Sequence, residues 1–366
     1  MKLCSYRLLI SIIAVLSLNL NSEVLEEVVV LEKKTTSLDG WSQNLSISTI
    51  NSEDLKKLDA QHPKQIFRRT PGVWISRGSG QEHLTSIRSP ILTGPGACGS
   101  FLILEDGIPV RPSGFCNVNG LFETQTEIAS SLEVIRGPAS ARYGSNAMHG
   151  VINVVSKSIE DINTFSSNIG PNRYKNFKSS IGDSKNWRIN SLFSSDGGFR
   201  KESGYDQQKF HWKNKVIFYN ADTIFNLRLT NLNQETAGYI SGKDIYKDKT
   251  ESEKNLNPEA YRDAYSLKSN LKFLWSPNDK IVSFIPYFRK TKMEFLQHYL
   301  PGTPVENNSH TSFGFITSYV NKLENIKFTS GMQTETARVK LEEFQEFPLT
   351  TSSAFNNAVR PQGFHY

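Results

Sequence analysis

Cysteine is scarce. The 366 residues hold three, with no CxxC pair and no Cys/His cluster, so a zinc site has no ligands to draw on. Excess charge of one sign is lacking too: 42 Lys and Arg face 36 Asp and Glu, and a net charge of +6 does not make a polybasic nucleic-acid binder. Long apolar runs are almost absent. The mean hydropathy of −0.42 and a single run, Leu8 to Leu20, do not favour a helical membrane protein. A phosphate-binding glycine motif is missing as well. Gly137, Gly144 and Gly150 in "VIRGPASARYGSNAMHGVINVVSK" fit neither GxGxxG nor GxxxxGK[ST], and the residues after Gly150 read as strand, leaving no helix N-terminus for an anion. "RGSGQEH" has Gly78 and Gly80 but no third glycine. His62, His83 and His149 have no metal or triad spacing and read as exposed loop histidines. No reaction centre, catalytic residue, cofactor or metal site is expected.

What is present begins with a leader. Lys2 and Arg7 precede "LLISIIAVLSLNL", which has the length of a secretory h-region and is short for a membrane-spanning helix. Residues 1–22 read as a signal peptide with Ser22 before the cleavage point. Cys4 lies ahead of the apolar run and cannot be a lipidated cysteine. Cys98 and Cys116 then remain, and in a secreted chain such a pair is most simply a disulfide, worth roughly 3 kcal/mol by chain entropy. Two buried thiols are the alternative. "EVLEEVVVLEKK" follows, an isolated β-prone run that can add to a partner's sheet edge or be an unstructured leader.

Residues 45–160 read as one α+β domain. "ISTI" is a strand, "SEDLKKL" a helix with Ser52 as N-cap, and a second helix starts near Pro63. "GVWIS", "FLILEDGIPV" with a hairpin turn at Asp106-Gly107, "SLEVIRG" and "GVINVVS" are short strands. From about Asn163 the pattern becomes strict alternation. In "YSLKSNLKFLW", one face is Tyr265, Leu267, Ser269, Leu271, Phe273 and Trp275, the other Ser266, Lys268, Asn270, Lys272 and Leu274. Ten steps of about 3.3 Å at a 45° tilt rise roughly 23 Å, the height of an outer-membrane apolar band. "TIFNLRLTN" and "NIKFTSGMQ" alternate in the same way. A soluble sandwich also alternates, but its strands usually stop near five or six residues and these runs reach nine to eleven. Residues 161–366 therefore read as part of an antiparallel transmembrane β-barrel.

Together these segments resemble the N-terminal part of a TonB-dependent outer-membrane receptor of the siderophore-receptor type. "EEVVVL" resembles the TonB box, "RTPGVWISRG" and "FLILEDGIPV" the central strands of the plug, and "LEVIRGPASARYGSNAMHGVINVVSK" its closing signature. The resemblance implies an α+β plug domain followed by a transmembrane β-barrel. Residues 23–44 would hold the TonB box (Glu26, Glu27, Val28, Val29, Val30 and Leu31) and a linker. It implies import of a ferric siderophore or similar large metal chelate, with the TonB protein and outer-membrane lipid as partners and the outer membrane as location. Ligand-facing candidates are Arg77, Gly94, Pro95, Gly96, Arg111 and Phe115 on the plug, with Tyr239, Tyr246 and Tyr261 in a long loop over 233–264. Arg77 and Arg111 favour an anionic chelate. Arg136, Gly137, Arg142, Tyr143, Gly144 and Gly150 would be packing residues, the glycines allowing close backbone approach and the arginines pairing with carboxylates.

Two departures stand out. Ser89 in "IRSP" occupies a position where the family usually has glycine. After Lys157 there is room for roughly ten strands, against about 22 in the family's barrels, and "NNAVRPQGFHY" does not alternate as a last barrel strand should, so the chain reads as incomplete. Rival readings are a cobalamin or other nutrient receptor, a passive gated pore or adhesin, a soluble periplasmic binding module, and a non-functional receptor fragment.

Overall fold

The computed structural model describes residues 46–92, 98–218, 221–277, 280–323, 326–345 and 364–365. The leader, the "EEVVVL" run and Gly94 to Gly96 lie outside them.

The chain enters on β1 (Ile47–Ile50) and turns into α1 (Ser52–Leu58). Asn51, one residue before the expected cap, accepts the Asp54 amide at 2.9 Å, and Ser52 is the first helical residue. Next come α2 (Pro63–Phe67), the antiparallel pair β2 (Val73–Arg77) and β3 (His83–Ile87), and then β4 (Leu102–Glu105) and β5 (Ile108–Pro109). Asp106 and Gly107 join those last two with φ of +50° and +80°, the conformation of a tight hairpin turn. β6 (Ser131–Arg136), α3 (Ser140–Tyr143) and β7 (Gly150–Val155) close the unit. The sheet order is β1-β6-β7-β4-β5, with β4 and β7 parallel. Ile66, Phe67, Ile103, Leu121, Val134 and Ile152 are among its buried core residues.

The second part is an antiparallel meander in which each strand pairs with its chain neighbours. Its strands are β8 (Thr164–Ile169), β9 (Lys175–Gly182), β10 (Trp187–Asp196), β11 (Tyr205–Phe218), β12 (Ala221–Glu235), β13 (Tyr261–Trp275), β14 (Lys280–Leu296), β15 (Val305–Leu323), β16 (Ile326–Phe344) and the short β17 (Phe364–His365). The longest have 19 residues, well beyond the nine to eleven expected, because the pairing continues past the apolar segment into polar sequence at the long-loop end. The loop expected over 233–264 shrinks to 236–260 for that reason.

Burial alternates along these strands with its polarity reversed from that of a soluble protein. On β13 the buried residues include Ser266, Lys268, Asn270 and Lys272, while Tyr265 and Leu271 are exposed. On β12, Asn226, Arg228 and Thr230 are buried against the α+β unit, and Phe225, Leu227 and Leu229 face away from it. Phe165, Phe193, Phe313, Phe328 and Met332 add to the exposed apolar face. Lipid is the solvent that makes such a face favourable. The strands form an open, curved wall of a transmembrane barrel, and the α+β unit fills its concave side. Links at 183–186 and 276–279 are short and mark one rim; 197–204, 236–260 and 297–304 are longer and mark the other, the long-loop rim.

Candidate functional site

At the long-loop rim the α+β unit and the wall enclose a cavity of about 510 Å³. The connection 78–82 between β2 and β3 forms its floor, with Arg77 beside it. Tyr174, Phe199, Arg200, Tyr239 and His298 contribute from the wall and its loops.

The floor is fixed from both sides. Its own backbone closes through Gly78 N–H to the Glu82 carbonyl at 2.9 Å and Glu82 N–H to the Ser79 carbonyl at 2.8 Å. Toward the wall, Ser79 Oγ donates to the Ala237 carbonyl at 3.0 Å, the Gln81 amide donates to Gln234 Oε1 at 2.6 Å, and Arg262 pairs with Glu82 at 3.1 Å. Gly80 has φ +51°, and a Cβ there would lie 2.3 Å from Gln234 Oε1. Arg200 Nη2 donates to the same Ala237 carbonyl at 2.6 Å, tying loop 197–204 to loop 236–260.

Beneath the floor, His62 and His83 are buried, against the expectation of exposed loop histidines. His62 Nδ1 accepts the Lys64 amide at 3.0 Å as the cap of α2, so its Nε2–H donates to the Glu82 carbonyl at 3.0 Å. His83 uses the opposite tautomer: Nε2 accepts the Leu121 amide at 3.3 Å and Nδ1–H donates to the Gln81 carbonyl at 2.9 Å. Both rings are therefore neutral. Desolvation first, then the Arg77 charge, lowers His62 to about 4; desolvation and the neighbouring His62 lower His83 to about 3.

Below the cavity the two parts meet through opposite charges. Arg228 on β12 pairs with Asp106, Lys268 Nζ lies 2.5 Å from Glu105, and Lys209 Nζ lies 2.6 Å from Glu127. Burial by itself would raise the Asp106 pKa, but Arg228, Lys213 and hydrogen bonds from Ser156 outweigh it and hold the carboxyl below its ordinary range.

Residues 41–151 match the family model described as the TonB-dependent Receptor Plug Domain. Over 134 residues the chain is 35% identical to the probable TonB-dependent siderophore receptor PirA of Acinetobacter baumannii, a match covering 34% of this chain and 18% of PirA. Residues 41–151 are therefore a plug domain of the TonB-dependent receptor type. The chain's fold is shared with the ferric yersiniabactin uptake receptor FyuA of Yersinia pestis, with a TM-score of 0.66 at 14% identity over 84% of this chain and 50% of FyuA. The siderophore receptor PiuA of Acinetobacter baumannii matches with a TM-score of 0.62 at 12% identity over 90% of this chain and 51% of PiuA. The chain thus spans about half the length of these solved structures.

Of the candidate ligand residues, Arg77 and Tyr239 line the cavity. Arg111 does not. Its guanidinium is buried in the plug, 2.6 Å from Glu123 and 5.4 Å from the Phe115 ring, so it is a packing residue and not a ligand contact. Phe115 is buried as well and meets the His310 ring on β15, centroids 5.1 Å apart. Tyr246 is exposed on the long loop away from the cavity, and Tyr261 donates to Glu294 at 2.8 Å within the wall. The sulfurs of Cys98 and Cys116 are joined, which ties the segment holding Arg111 and Phe115 to the loop at Cys98.

The closing signature packs differently from expectation in two respects. Arg136 donates to the Pro71 carbonyl at 3.3 Å, not to a carboxylate, and Arg142 lies over the Tyr143 ring at 5.1 Å. Only Gly150 is a close-approach glycine, since a Cβ there would sit 2.4 Å from the Ile135 carbonyl oxygen. Gly137 and Gly144 have open space around them but φ of +115° and +73°, so they serve the turn conformation. Sequence reasoning missed Tyr174, Arg200, Gln234 and His298. They lie on four separate strands or loops, and only wall pairing brings them to one rim.

Proposed function

We propose that this chain is the plug and adjoining wall of an outer-membrane receptor that admits a ferric siderophore or a similar large chelate. The carrying observation is the rim cavity, whose floor belongs to the plug and whose sides belong to the wall and its long loops. A solute held there touches both parts at once, and Arg77 offers it a cation from the floor. Occupancy that shifts loop 236–260 pulls on the Ala237 carbonyl and so on Ser79. Residues 1–22 serve as a cleaved signal peptide. Glu26 to Leu31 supply the strand that the TonB protein pairs with on the periplasmic side, where backbone pairing transmits force without a dedicated pocket.

Energised uptake separates this reading from a passive pore. In cells dependent on the receptor, Val29→Pro removes a backbone donor from that strand and is expected to abolish accumulation of radiolabelled ferric chelate while surface binding persists. Unchanged accumulation would favour the passive pore.

A further inference from the structure

Two carboxylates face each other at the long-loop rim with no cation between them. Glu306 on β15 lies directly opposite Glu343 on β16 in the strand register. Both have the inward parity of their strands. Asn308, His310 and Ser312 follow Glu306 along the buried face, and Glu343 shares its parity with Glu335, which turns inward to Arg289. Like charges directly opposite on neighbouring strands destabilise a sheet. Here one buried side chain stands between them. Gln297, 4% exposed, donates from Nε2 to Glu306 at 3.3 Å and to Glu343 at 3.1 Å. The Asn308 side-chain amide donates to the other Glu306 oxygen at 2.7 Å.

Gln297 is also the first residue of the 297–304 connection, and its backbone N–H closes that loop on the Pro304 carbonyl at 2.9 Å. His298, the next residue, lines the rim cavity, and its Nδ1 is buried without a hydrogen-bond partner. The position of Gln297 therefore fixes where His298 stands.

The surroundings leave the two acids to each other. Arg262 on β13 acts on Glu306 from a distance and is itself paired with Glu82 of the plug at 3.1 Å. Tyr299 on the loop faces the same four charged groups. Lys292 with Glu294 and Lys340 with Glu342 pair on the outward side of the strands. On β15 the outward positions between Glu306 and Phe313 are Asn307, Ser309 and Thr311, so Glu306 stands beyond the apolar band. Burial raises the Glu306 carboxyl above its ordinary range, and the Glu343 charge adds to this against the Asn308 hydrogen bond and Arg262.

We propose that Glu306 and Glu343 are a proton-sharing pair that latches loop 297–304. One proton between them removes their repulsion and lets Gln297 bridge both; its loss splays the carboxylates and frees the loop with His298. The rim is thus tighter in acidic than in alkaline medium. What this does to a bound solute rests on the function proposed above, whereas the latch itself needs no solute.

The test is hydrogen–deuterium exchange of the full chain in detergent without ligand. It is read on peptides spanning 297–304 at about pH 8 and about pH 5.5, corrected for the intrinsic pH dependence of exchange. His62 and His83, lowered to about 4 and about 3, keep their charge state over this interval. Protection is expected to rise about tenfold at the lower pH, the change that one unit of differential proton affinity produces. Glu306→Gln and Glu343→Gln each remove the repulsion permanently and should hold the protected level at both pH values. Glu342→Gln, of outward parity, should keep the response. Peptides from β12 and β13 should exchange alike in all variants, which separates unlatching from misfolding. Infrared difference spectra should show a protonated carboxyl band at the lower pH that Glu306→Gln lacks, a signature that a merely structural side chain does not give. Equal protection at the two pH values overturns the proposal. So does a response that survives Glu306→Gln, which would assign it to another group such as His298. A responsive loop in a chain that binds no ferric chelate at either pH overturns the receptor reading and leaves the latch standing.

Discussion

His62 and His83 show how much of the rim depends on single protons. Each ring donates from one nitrogen to the 78–82 connection and accepts at the other, so neither can take a proton without losing the backbone amide it accepts, that of Lys64 for His62 and that of Leu121 for His83. Both folded-state values lie below the ordinary 6.5, so the unfolded chain gains protons first as pH falls. Their contribution to stability is complete above pH 6.5 and is lost as pH drops through the window down to about 4 for His62 and about 3 for His83. For His62 the full loss is on the order of 3 kcal/mol. The urea midpoint of the chain in detergent is therefore expected to fall between pH 7 and pH 4, and to fall less in His62→Gln, which has no proton to gain. Parallel slopes for the two proteins would remove His62 from the account. Neither histidine could be placed from sequence, because a lone loop histidine looks the same whether a neighbouring strand covers it or not.

At the scale of elements, the decisive contact is between the β4–β5 turn and the middle of β12 and β13. Glu105 and Asp106 reach Lys268 and Arg228 in the buried seam, where an unmatched charge is expensive. Arg228→Ala leaves Asp106 buried without its main partner and is expected to cost about 3–5 kcal/mol in a denaturation measurement. Arg228→Met combined with Asp106→Asn should recover most of that loss, since Asn keeps an acceptor for Ser156 and tolerates the left-handed turn. A double variant as unstable as the single one would mean that the charge pair is not what joins these elements. The strands themselves were legible, because alternation fixes which residues share a face. The partners across the seam were not. "LED" in one segment and "NLRLTN" in another carry no mark that pairs them, and the closing signature's arginines drew the expectation of carboxylates that the seam instead supplies to the wall's cations.

For the whole molecule, the alternation and length of the runs on β12, β13 and β16 made a transmembrane wall readable from sequence, and the glycine-spaced signature made the plug readable by resemblance. The rim was legible only in part: Arg77 and Tyr239 were reached through the resemblance, whereas Tyr174, Arg200 and His298 were not, because they converge through strand pairing and not through spacing. The central claim is that plug floor and wall loops receive one ligand together. Its most direct test is equilibrium titration of the detergent-solubilised chain with a panel of ferric chelates, followed by intrinsic fluorescence, alongside Arg77→Ala on the floor and Tyr239→Ala on the loop. The account predicts saturable binding of at least one chelate, weakened about tenfold by either substitution, as for loss of a contact worth roughly 1.4 kcal/mol. Binding that neither substitution changes, or none across the panel, would contradict it.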